Sequence, residues 1–76
     1  MSERLATLPR PSIHAQIAEL EREQTMRRRV YPNEVARGRL TQRAADYQKA
    51  ALDAAIDTLR EVERARRENE SGGGAS

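Results

Sequence analysis

Six arginines fall within seventeen residues: Arg27, Arg28, Arg29, Arg37, Arg39 and Arg43, opposed in that span only by Glu34. A guanidinium group is planar, permanently charged and built to hold carboxylate or phosphate oxygens in pairs. The cluster therefore reads as a grip for an acidic protein surface or for nucleic acid. No other constellation in the chain carries comparable chemistry. His14 is the only histidine and has no nucleophile beside it, and Asp53 and Asp57 stand at i,i+4 spacing with no His or Cys near them. Such a pair reads as a solvated helix face, not a metal site. The terminal Gly72–Gly74 run follows no strand, so it is not a phosphate-binding loop. No catalytic residue, metal or cofactor is expected, and the chain reads as a non-enzyme.

The elements that position these arginines are two helices. Pro9 and Pro11 punctuate an extended segment over 1–11, and Ser12 is a suitable N-cap. Ile13, Ile17, Leu20 and Gln24 then recur at the spacing of one helix face, and Glu23 and Arg27 form a favourable i,i+4 pair. Pro32 is expected to end this helix near Arg29 or Val30, giving a first helix over 12–30. Residues 31–40 form the connection, with a short helical turn from Asn33 to Arg37 closed by Gly38 in a left-handed conformation. Thr41 caps a long helix over 41–69, whose apolar positions are Ala45, Leu52, Ala55, Ile56, Leu59 and Val62. The polar, glycine-rich end, 70–76, reads as a disordered tail.

The fold class follows as all-α: an antiparallel helical hairpin with a short connecting helical turn. A core for it is scarce. The 76 residues include no Phe, Trp or Cys, and Tyr31 and Tyr47 are the only aromatics. Chains of this size without disulfides or a metal gain burial by oligomerising. The second helix also has more apolar surface than one partner needs, with Ala44, Ala51, Ala55 and Val62 widening its stripe. The expected assembly is a homodimer in a four-helix arrangement, with Ile13, Ile17, Leu20, Tyr31, Ala45, Leu52, Ala55, Ile56, Leu59 and Val62 at the dimer or hairpin core. No apolar run reaches the roughly 20 residues needed to span a bilayer, and the start lacks the apolar core of a secretion signal. A cytoplasmic location is expected.

Arg27, Arg28 and Arg29 spread over about 200° around a helix, so they cannot converge on one ligand. At a helix C-terminus they also suit the negative end of its dipole. Arg37, Arg39 and Arg43 are brought to the same end by the connection, making a basic tip. Met26 lies about 140° from the Ile13–Ile17–Leu20 stripe, with Val30 beside it, and its flexible thioether suits contact with another protein. The expected partner surface is Met26, Arg28, Arg29, Val30, Arg37, Arg39 and Arg43. DNA reading is not favoured: no β-ribbon or interleaved aromatics accompany the arginines, and the only segment resembling helix-turn-helix has Glu34 where a small residue is usual.

The central block "IAELEREQTMRRRVYPNEVARGRLTQRAADYQKAALDAAIDTL", residues 17–59, resembles small proteins encoded in phages and prophages of proteobacteria. The shared features are "MRRRVYP", a glycine step, and "LTQ" opening a long helix. Most such proteins have no assigned activity. Some phage helical hairpins of this size, including an anti-quorum-sensing protein, block host proteins by direct binding. The resemblance implies a phage-encoded binding protein that modulates a host regulator or defence component in the host cytoplasm. The second reading is a nucleic-acid-associated accessory protein, and the third a small structural phage protein.

Overall fold

A computed structural model of the protein describes residues 9–75, with side chains described through Glu70. The sequence expectations for residues 1–8, and for Leu5 and Leu8 in particular, lie outside the described residues. Two helices make up the fold: α1, Ile13–Ala36, and α2, Gln42–Ala75. They pack against each other in antiparallel order. Tyr31 meets Gln48, Gln24 meets Asp53 and Glu21 meets Arg60, so falling numbers in α1 match rising numbers in α2.

Each helix starts and the first one ends on local chemistry. The Ser12 hydroxyl accepts the Ala15 amide, and the Thr41 hydroxyl accepts the Ala44 amide, both at 3.0 Å. These are N-caps that satisfy amides left without a partner in the first turn. Gly38 takes φ +73° after α1, with its own amide on the Val35 carbonyl and the Arg39 amide on the Glu34 carbonyl. That paired 5→2 and 6→1 bonding is a Schellman stop, which favours glycine at the left-handed residue.

The first helix does not end at Pro32. It continues four residues further, to Ala36, with Pro32 inside it, which corrects both the expected stop at residue 30 and the separate turn over 31–40. Proline's fixed φ is compatible with helix, and its cost is one missing amide and a clash with the carbonyl four residues back, on Arg28. Both Pro32 and Arg28 are exposed, so water can reach the freed carbonyl. The helix is held on either side of the break, by the Tyr31 hydroxyl on Gln48 before it and the Gly38 stop after it. Helix α2 runs to Ala75, which corrects both the expected helix end at 69 and the expected disordered tail over 70–76, the helix continuing through Gly72–Gly74 although glycine is a poor helix former.

The hairpin core is small. Ile17, Leu52 and Ile56 form one buried cluster, with Ile13, Leu20 and Leu59 packed against it half-buried. Ala45 is buried nearer the turn. Each fully buried aliphatic contributes about 1.5–3 kcal/mol, so three such residues carry much of the apolar stabilisation. Ala55 is exposed and Val62 is 37 % exposed, which excludes both from the single-hairpin core. Their positions explain this: relative to Ile56 they are rotated by about 100° and 120° around the helix. Tyr31 is half-buried, as a residue closing the turn end should be. No helix among the described residues is long and apolar enough to cross a membrane.

The two sides of the hairpin differ. One side carries Gln24 on Asp53 and Arg60 on Glu21. The other carries Tyr31 and Arg27 on Gln48. Leu20 precedes Tyr31 by eleven residues and Leu59 follows Gln48 by eleven, about three turns each. Leu20 and Leu59 therefore continue that second side away from the turn, turning it from polar to apolar.

Candidate functional site

The arginines are not gathered at one tip. Because α1 continues to Ala36, Arg27, Arg28 and Arg29 lie about two turns before its end. The helix dipole therefore does not account for them, since its effect falls off within the last turn. Only Arg37, the C-cap residue, together with Arg39 and Arg43, stands at the turn itself.

The three consecutive arginines divide between two surfaces, Arg27 and Arg28 at the groove between the helices and Arg29 on the outer face of α1. Arg27 is structural. Its Nε donates to Glu23 at 2.9 Å, its Nη1 donates to the Gln48 carbonyl at 3.3 Å, and its guanidinium lies 5.8 Å from the Tyr31 ring centroid. With Tyr31 donating to the Gln48 side chain at 2.6 Å, it ties the two helices together near the turn. The i,i+4 pair with Glu23 was legible from spacing; the contacts with Gln48 were not, because they depend on how the helices pair. Arg28 lines the open groove between the helices together with Arg27 and Tyr31; the apolar floor of the groove includes Leu52 and Ile56, and its rim carries Asp46, Lys49 and Asp57.

Arg29 belongs to a different surface. Together with Met26, Val30, Asn33 and Arg37 it lines a depression on the outer face of α1, where Glu19, Glu23 and Glu34 also stand, each paired with another arginine. Met26 is 52 % exposed and Val30 43 %, so the centre of this strip is apolar and open. Arg29 and Arg37 form no ion pair among the described residues, whereas Arg22 is taken by Glu19, and Arg39 lies 3.7 Å from Glu34. The expected partner residues therefore divide. Met26, Arg29, Val30 and Arg37 come together on one strip, Arg28 opens onto the groove, Arg39 is paired, and Arg43 is exposed in the first turn of α2.

An apolar centre with unpaired guanidinium groups beside it can hold a protein segment that offers an apolar side chain and carboxylates. Two features escaped sequence reading. Gln48 is the polar hub of the helix pair, and Tyr47 is 74 % exposed. The position of Tyr47, nine residues before Ile56 and so on the opposite side of α2, is the signal that could have revealed its exposure. Among the described residues no group of three or more His, Asp or Glu side chains assembles into a cation site. Comparison with protein families, curated proteins and solved structures finds no match.

Proposed function

We propose that this chain is a non-enzymatic binding protein, phage-encoded, that modulates a host protein such as a transcription regulator or defence component by direct contact in the host cytoplasm. Two copies pair into a four-helix arrangement, leaving the outer face of each α1 free for the partner. One observation carries the docking surface. Met26 and Val30 stand open on the face of α1 turned away from α2, with the unpaired Arg29 and Arg37 beside them. An isolated exposed methionine needs no explanation, but an apolar pair flanked by free guanidinium groups matches the anchor-and-rim pattern of protein interfaces. The phage origin and host target rest on the resemblance of residues 17–59.

The nucleic-acid reading is weaker because Arg27 is engaged within the hairpin and Arg28 and Arg29 open onto different surfaces. Affinity capture from a bacterial lysate, with and without nuclease, separates the two. A specific protein retained after nuclease treatment, and lost from a Met26→Asp/Arg29→Gln/Arg37→Gln variant that stays helical, is the expected result. Loss of every partner on nuclease treatment, together with DNA binding that weakens steeply with salt, would refute the docking surface.

A further inference from the structure

The groove side of the hairpin carries a charge pattern that is its own complement. Asp46, Lys49, Asp57 and Arg60 line the groove and lie within about 40° of Asp53 around α2. Arg43 and Glu61 both stand at about 80°, on one edge of that side. Counted outward from Asp53, Lys49 is matched by Asp57 at four residues and Asp46 by Arg60 at seven. Arg43 at ten is matched by Glu61 at eight. A chain turned end for end about Asp53 sets each of these charges against its opposite. We infer that the groove side is the seam of the homodimer, with α2 crossing the partner's α2 antiparallel and the two-fold axis passing Asp53. The inference rests on the dimer proposed above and names its face, direction and register.

Helix α1 obeys the same axis. Gln24 donates to Asp53 at 2.5 Å, so the axis crosses α1 at Gln24. Arg28 lies four residues to one side and Glu21 three to the other, both within about 60° of Gln24 around the helix. The two-fold therefore brings Arg28 to the partner's Glu21. Met26 and Val30 are rotated from Gln24 by about 160° and 120°, so the docking strip on the outer face stays open.

Most of these charges are unspent within one hairpin. Arg28, Arg43, Lys49, Asp57 and Glu61 form no ion pair among the described residues, and Arg60 is held by Glu21. Complementary charges fix register and orientation between partners. The alternation of sign also selects the occupant. Arg28, Arg43, Lys49 and Arg60 are offset by Glu21, Asp46, Asp57 and Glu61, so a uniformly acidic or basic ligand gains nothing here. The chain's own first eleven residues carry only Glu3, Arg4 and Arg10, too few to answer the pattern. From Arg43 to Glu61 the seam runs about 27 Å and is two helices wide, or roughly 500 Å² per chain. The two copies together reach the roughly 1,000 Å² that a specific interface must clear. One contact is unfavourable: Asp53 meets the partner's Asp53 at the axis.

Charge exchange on the full chain tests the seam, with light scattering over a concentration series reporting mass. The wild type should weigh about twice 8.6 kDa. Lys49→Asp and Asp57→Lys each set like charges together twice, and each should raise the dimer Kd about tenfold with helical circular dichroism unchanged. Mixed together, these two variants should pair with each other at near wild-type affinity, as should the double variant Lys49→Asp/Asp57→Lys with itself. Asp53→Asn keeps an acceptor for Gln24 and should tighten the dimer severalfold. A wild-type dimer that neither single variant weakens would overturn the seam and leave the dimer standing. Weakening without rescue on mixing would refute the register, and an Asp53→Asn dimer no tighter than wild type would move the axis off Asp53. A wild-type monomer at every concentration would remove both the seam and the dimer.

Discussion

Replacing Pro32 with alanine should stabilise the protein, which is unusual for a single substitution. Pro32 sits inside α1, where it leaves the Arg28 carbonyl without its amide and crowds it with the pyrrolidine ring. Proline is about 3 kcal/mol worse than alanine at an interior helix position. Its stiffness recovers about 0.4–1 kcal/mol by restricting the unfolded chain. The side chain is exposed, so little packing is lost with it. The net expectation is a gain of about 2 kcal/mol, or a rise in Tm of about 8–16 °C for a domain of this size. Thermal and urea unfolding followed by circular dichroism at 222 nm would measure it. An unchanged or lower Tm would show that α1 stops before Pro32 in solution, and that the proline serves a turn.

Other substitutions test the remaining parts of the fold. Ile56→Ala and Leu52→Ala should each cost about 2–5 kcal/mol, out of a total of about 4–11 kcal/mol for 76 residues; unchanged chemical denaturation of both would remove the buried cluster from the account. Gly38→Ala meets no neighbouring atom within 4 Å, so its cost should be backbone strain alone. A net loss of about 1 kcal/mol in urea unfolding is expected, being about 1–2 for the left-handed conformation less the gain from a stiffer unfolded chain. Thr41→Ala should lose about 1 kcal/mol by removing the cap on α2, read as a lower urea midpoint.

What could be read from the sequence was local or periodic. Ser12, Gly38 and Thr41 act as caps and a stop because each works through bonds to residues a few positions away. Ile17, Leu52 and Ile56 were legible because burial repeats with the helix turn. Pro32 was misread for a related reason: the local rule that a helix ends before proline was outweighed by the Gly38 stop and by Tyr31 on Gln48. That misreading moved Arg27, Arg28 and Arg29 to a helix end where they do not lie. It also hid the Arg28 groove, which exists only once α1 and α2 are set side by side. Asp53 was read as a solvated partner of Asp57, yet it accepts from Gln24 across the helix pair. Such pairings depend on helix phase and offset together, and neither helix states the offset alone.

The placement of polar and apolar contacts also bears on how the hairpin closes. Tyr31 and Gln48, near the turn, are 17 residues apart in sequence, while Glu21 and Arg60, beside the apolar cluster, are 39 apart. Bringing the farther pair together first costs about 0.7 kcal/mol more chain entropy, from the logarithm of the ratio of loop lengths. That is less than the about 1.5–3 kcal/mol from burying one isoleucine. Folding that zips outward from the turn thus has little advantage over direct collapse onto Ile17 and Ile56.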